Sequence, residues 1–123
     1  MLNNPDRKYK ADGLAVLIPT KDRPQKIRNL LNSLAAQKAA CGRIIIIDGG
    51  ESVKDIVTGF SSHLPVEYYE CRPPGQIRQR NMAISLLDNR TQLAAFIDDD
   101  IVFEENALEA MLDFWNRCEP ETA

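Results

Sequence analysis

Three observations predict an α/β fold with a doubly wound, mainly parallel sheet and flanking helices. Strand-like apolar runs alternate with helix-like runs four times along the 123 residues, the signature of successive βαβ units. The strand candidates Leu14–Ile18, Arg43–Ile47, Val66–Tyr69 and Leu93–Ile97 start 29, 23 and 27 residues apart, close to the length of one such unit. Ile44-Ile45-Ile46-Ile47 is continuously apolar and β-branched, which suits a parallel strand covered on both faces better than a half-exposed alternating one.

Each strand candidate is followed by a stretch with a helical period. After the first, Ile27, Leu30, Leu31 and Leu34 fall at i, i+3, i+4 and i+7, the spacing of one apolar helix face. Asp22 and Pro24 stand where a helix start favours a capping side chain and a residue of fixed φ. Val53, Ile56, Val57 and Phe60 repeat the spacing after the second strand, and Ile77, Ile84 and Leu87 give a sparser stripe after the third. Leu108, Met111, Leu112 and Trp115 mark the last helix. One domain over residues 13–117 is expected, with loose tails at 1–12 and 118–123.

Composition narrows the function. Apolar residues make up 44% and charged residues 27%, an ordinary globular balance. No apolar run approaches the roughly 18 residues of a membrane span, and the first residues lack the apolar core of a signal peptide, so a cytoplasmic chain is expected. Residues 1–61 carry ten Lys/Arg and six Asp/Glu, whereas residues 62–123 carry five and twelve. A domain-wide basic footprint for nucleic acid is therefore not expected, while a cationic patch facing an acidic cluster would suit an anionic ligand carrying a metal ion. Cys41, Cys71 and Cys118 form no CxxC pair, and His63 is the lone histidine. Reduced structural thiols are expected in preference to a zinc site.

Parallel α/β sheets bind ligands beyond the carboxyl ends of their strands, so the residues after each strand carry the functional reading. They are Pro19-Thr20-Lys21-Asp22-Arg23, Asp48-Gly49-Gly50-Glu51-Ser52, Cys71-Arg72-Pro73-Pro74-Gly75 leading to Arg78, Arg80 and Asn81, and Asp98-Asp99-Asp100. Three adjacent carboxylates repel one another unless a cation compensates. In extended chain Asp98 and Asp100 point one way and Asp99 the other. Two carboxylates on one side make a hard-oxygen site for Mg²⁺ or Mn²⁺; capping or simple solvation is the competing reading. Asp48 before Gly-Gly suits a hydrogen bond to a base or ribose, or a turn. Arg78 and Arg80 near a helix start suit a diphosphate, or an exposed helix face. No GxGxxG, GxxxxGK[ST] or GxSxG is present, so dinucleotide, P-loop and hydrolase readings lack support.

In this order the segments resemble the family 2 glycosyltransferases of the GT-A fold, over about residues 13–115. Val16–Arg23 resembles the opening V-x-I-P-T-Y-N-R, Ile45–Ser52 the V-V-D-D-G-S segment, Gly75 to Asn81 the G-x-x-x-A-R-N stretch, and Ala95–Asp100 the F-x-D-x-D metal motif. Lys21-Asp22 stands in place of Tyr-Asn, and Gly49 in place of the second aspartate. The resemblance implies a nucleotide-diphosphate sugar as donor (UDP-, GDP- or dTDP-linked). Pro19, Thr20, Asp22, Arg23, Asp48, Gly49, Gly75, Arg78, Arg80, Asn81, Asp98 and Asp99 would surround it. Asp48 would contact the base directly. Asp98 and Asp100 would hold Mn²⁺ or Mg²⁺, and the product would be an inverted glycoside. In the family a second half carries the acceptor site and the general base. Here the chain ends six residues after Arg117, so the expectation is a donor-binding half of low activity alone, whose apolar edge favours a homodimer. A sugar-phosphate nucleotidyltransferase, the competing enzyme class, would instead carry a Gly-rich loop after the first strand. Three non-enzymatic readings also compete: a nucleotide-binding module, a receiver-type signalling module, and a plain interaction domain whose aspartates are solvated.

Overall fold

The computed structural model describes residues 8–118. Strands β1 (Leu14–Thr20), β2 (Arg43–Asp48), β3 (Val66–Glu70) and β4 (Leu93–Phe96) alternate with helices α1 (Pro24–Ala35), α2 (Lys54–Thr58), α3 (Gln76–Ser85) and α4 (Ala107–Arg117). The strands form one parallel sheet in the order β3-β2-β1-β4. The chain thus runs outward from β1 through β2 to β3, then crosses back to place β4 on the other side of β1. The point where the direction reverses lies between β1 and β4, and such a switch point leaves a crevice at the strand ends.

The two faces of the sheet are covered differently. Val16, Ile18, Ile44 and Ile46 point to the face covered by α1, α2 and α4, where they meet Ile27, Leu30, Leu31, Val57, Leu108 and Leu112. Ala15, Leu17, Ile45 and Ile47 point to the other face, which packs against Ala83 of α3 with Met82, Leu86 and Leu87 partly buried beside it. All four isoleucines of β2 are fully buried, as a central parallel strand requires.

Two local expectations are corrected. Of the expected stripe, only Leu87, just past the end of α3, packs against the sheet; Ile77 is 76% and Ile84 51% exposed. The buried side of α3 is Gln79 and Ala83, with Met82 and Leu86; a polar residue at a core position hid the period. Asp22 does not cap α1. Arg23 occupies the N-cap with no side-chain bond, and Pro24 opens the helix. Asp22 instead adopts a left-handed backbone (φ 56°), which aspartate tolerates better than most residues. Its Oδ1 accepts the Glu51 N–H at 2.7 Å, tying the β1–α1 turn to the β2–α2 turn.

Of the tails expected to be loose, residues 1–7 and 119–123 lie outside the described residues. Tyr9 donates its N–H to Asn116 Oδ1 at 2.8 Å, and Asn116 Nδ2 donates back to the Tyr9 carbonyl at 2.9 Å. The Tyr9 ring stands edge-on to Trp115, with centroids 6.4 Å apart.

Candidate functional site: a cleft at the switch point

A cleft of about 590 Å³ opens where the carboxyl ends of β1 and β4 face the start of α3. Three segments build it. Strand β1 contributes Pro19 and Thr20 and continues into Lys21 and Arg23; the α3 start contributes Gly75, Gln79 and Arg80; the segment after β4 contributes the aspartate triplet. The register explains how they meet. Strand β4 pairs with β1 only as far as Leu17↔Phe96, and Ile97 donates its N–H to the Leu17 carbonyl at 2.9 Å. The triplet then runs beside the last residues of β1.

A turn, not extended strand, sorts the three carboxylates: the Ile101 N–H donates to the Asp98 carbonyl at 3.2 Å. Asp98 and Asp100 are exposed, while Asp99 is buried between them. Asp99 accepts the Thr20 hydroxyl at 2.8 Å and the Arg23 guanidinium at 3.2 Å. A buried carboxylate needs such donors, and a charge-assisted bond of this kind is worth about 1.5–3 kcal/mol; Arg23, half exposed, adds less through screening. Asp99 therefore locks the β1–α1 turn to the end of β4. Neither the Asp98 nor the Asp100 side chain has a hydrogen-bond or ion-pair partner among the described residues, and both residues line the cleft. No group of three or more His, Cys, Asp and Glu suited to a metal occurs among the described residues. Two oxygen donors with open positions do fit a Mg²⁺ or Mn²⁺ ion shared with phosphate oxygens; they do not fit a cation caged by protein alone.

The cleft also has cationic lining. Arg80 lines the cleft, its guanidinium 5.4 Å from the centroid of the Phe96 ring, and Lys21 adds a second positive charge at the β1 end. The ten-residue helix α3 directs its first-turn N–H groups and the positive end of its dipole to the same side. Two carboxylates without partners among the described residues and an anion-attracting helix start thus line one cleft.

Asp48, expected to contact the base, is not among the residues that line this cleft. Its side chain is fully buried. Oδ1 accepts the Gly50 N–H at 2.9 Å, and Oδ2 accepts the Val53 N–H at 3.1 Å and the Tyr68 hydroxyl at 2.5 Å. A carboxylate ending a buried strand must satisfy its lone pairs nearby, and the Gly49-Gly50 turn and neighbouring strand β3 supply the donors. Burial, with Asp48 as acceptor, pushes the Tyr68 phenol up to about 12. Asp48 therefore shapes the β2–α2 turn. Asp22, Gly49, Arg78 and Asn81 likewise do not line the cleft; Arg78 and Asn81 are exposed on α3.

One residue of the cleft escaped the sequence reading. Gln79 is only 4% exposed. Its Nε2 donates to the carbonyls of Thr20 and Ile47, both at 2.9 Å, and its Oε1 accepts the Gly75 N–H at 3.3 Å. The clue was positional: a single uncharged polar residue between Arg78 and Arg80, four before Ala83 on a helix.

Comparisons with known proteins bear on the fold and the family. The profile described as "Glycosyl transferase family 2" matches residues 15–121. Among solved structures, S. aureus TarS 1-349 is similar with a TM-score of 0.73 and 22% identity, covering 82% of this chain and 31% of that one. S. aureus TarS 1-349 in complex with UDP-GlcNAc gives 0.71 and 23%, covering 82% and 30%, and the same protein in complex with UDP gives 0.71 and 23%, covering 82% and 31%. The chain thus spans about a third of the length of these structures. No curated protein sequence matches it. A profile match that runs through all four strands and the cleft between them places the chain: it belongs to glycosyl transferase family 2.

Proposed function

We propose that the domain binds a nucleotide-diphosphate sugar together with Mn²⁺ or Mg²⁺, as the donor-binding part of an inverting glycosyltransferase. The observation that carries the reading is the pairing, in one cleft, of two unpartnered carboxylates with Arg80 and the start of α3. Asp98 and Asp100 would hold the ion; Arg80, Lys21 and the α3 amides would bind the diphosphate. When bound, the ion offsets the negative charge that gathers on the departing nucleoside diphosphate. Asp99, Thr20 and Arg23 keep the β1 turn in place beneath the ligand. Family membership supports a nucleotide-sugar donor, and the complexes of S. aureus TarS with UDP and UDP-GlcNAc make a uridine donor the first to test.

No carboxylate in the cleft is left to act as general base. Asp98 and Asp100 serve the cation, and Asp99 is held by Thr20 and Arg23. The base that deprotonates the acceptor hydroxyl therefore comes from outside this cleft, and the chain alone transfers sugar poorly. No described helix is long and apolar enough to cross a membrane, and all three cysteines are free, which suits the reducing cytoplasm. Calorimetric titration of UDP in the presence of Mn²⁺ tests the binding claim. A saturable isotherm that disappears with chelator is expected; no heat with metal present would overturn it.

A further inference from the structure

We infer that Gln79 is a positioning residue for the donor's diphosphate: its carboxamide, wedged between the ends of β1 and β2, fixes where the first turn of α3 and Arg80 stand relative to Thr20. The inference rests on the nucleotide-sugar reading above and deepens it.

The polarity of the position needs a cause. Gln79 lies on a helix side that otherwise packs Ala83 against Ala15, Leu17, Ile45 and Ile47. A buried carboxamide is costly without partners, and an apolar side chain of similar volume would fill the space at no such cost. All three of its partners are backbone atoms, and two of them, on Thr20 and Gly75, belong to residues that line the cleft. Thr20 ends β1, Ile47 is the penultimate residue of β2, and Gly75 is the N-cap of α3. The bonds also fix the amide orientation, since a flipped carboxamide would set its oxygen against two carbonyls.

Two further observations make the tether specific to this end of the helix. Of the first five residues of α3, only Gln79 is buried; the apolar anchors Met82, Ala83 and Leu86 come later. The turn facing the ligand thus has Gln79 as its one buried side chain. Gly49 also leaves the space that the carboxamide occupies. A Cβ there would lie 2.7 Å from Gln79 Oε1 and 2.9 Å from Pro74 Cβ, a distance side chains do not tolerate without a shift. The Gly49 N–H bonds the same Thr20 carbonyl at 2.9 Å, so strand end, glycine turn and helix start meet on one group.

The test compares UDP with UMP, each with Mn²⁺, on the full chain and on Gln79→Met, by calorimetry, with folding checked by circular dichroism. A positioning role predicts that the ratio of UDP to UMP affinity falls about tenfold in the folded variant, the worth of one or two well-made bonds. A structural role lowers both affinities together and leaves the ratio unchanged, which overturns the inference. Gly49→Ala, which pushes the carboxamide aside without removing it, should lower the ratio by about threefold; a folded Gly49→Ala with the parental ratio counts against the assignment. If neither variant folds, the side chain is structural and the inference fails. Absence of UDP binding by the parent chain defeats the donor reading itself, whereas parental binding with an unchanged ratio defeats only the role of Gln79.

Discussion

The two faces of the sheet are built to different ends. On the α1–α2–α4 face, Val16, Ile18, Ile44 and Ile46 meet helices whose buried residues are nearly all apolar. On the α3 face, a single helix covers the two central strands, and a carboxamide takes one of its core positions. The first face holds the domain together; the second trades apolar burial for hydrogen bonds that reach the cleft. The difference lies in Gln79, a buried polar side chain whose backbone partners include the end of β1 and the start of α3 beside the cleft.

The largest expected effect breaks the comparison on the first face. Leu30→Ala or Ile27→Ala removes a fully buried side chain and should lower stability by about 3 kcal/mol, measured by urea denaturation. Ile77→Ala, on the exposed side of α3, should change it by less than about 0.5 kcal/mol. Comparable losses at the two positions would contradict the packing described.

Next come the two buried carboxylates near the strand ends. Asp48→Ala would leave the Gly50 and Val53 N–H groups and the Tyr68 hydroxyl without their acceptor, a loss of about 3 kcal/mol. Asp99→Ala, which frees Thr20 and half-exposed Arg23, should cost about 2 kcal/mol. Thermal melts check both. A neutral Asp48→Ala would mean that this network adds nothing to the fold.

A smaller, pH-dependent effect belongs to the far end of the sheet. Glu67 takes a two-pronged bond from Arg43, at 2.6 and 2.7 Å, and that guanidinium holds its carboxyl below the usual range. A lowered folded value means that the stabilisation is present above the unfolded value of about 4.3 and is lost as pH falls through the folded one. Glu67→Gln should therefore lower stability by about 1.5 kcal/mol at neutral pH, and the gap to the parent should close in acid. The opposite limb belongs to Tyr68. Its raised value means that the unfolded chain ionises first, so stability should decline above about pH 10, and less so in Tyr68→Phe.

The same contrast explains what could be read from the residues alone. The apolar face was legible because Ile27, Leu30, Leu31 and Leu34 obey one period, and because four isoleucines in a row have few other uses. The triplet was legible because Asp98, Asp99 and Asp100 follow a strand-like apolar run, whereas the turn that carries Asp99 inward was not. The period of α3 was not legible, since Gln79 reads as surface until its three backbone partners are known. The aim of Asp48 was equally hidden. Its burial depends on Tyr68 arriving from β3 and on the Gly49-Gly50 turn folding back, and neither contact is written in local spacing.

The central claim is that Asp98 and Asp100 hold a divalent ion that bridges to a diphosphate. Titrating UDP into the parent chain and into the paired substitutions Asp98→Asn and Asp100→Asn, with and without Mn²⁺, tests it most directly. The account predicts metal-dependent binding in the parent and at least about a tenfold loss of affinity in the folded variants. Equal UDP affinity in parent and variants, or binding indifferent to the metal, would contradict it.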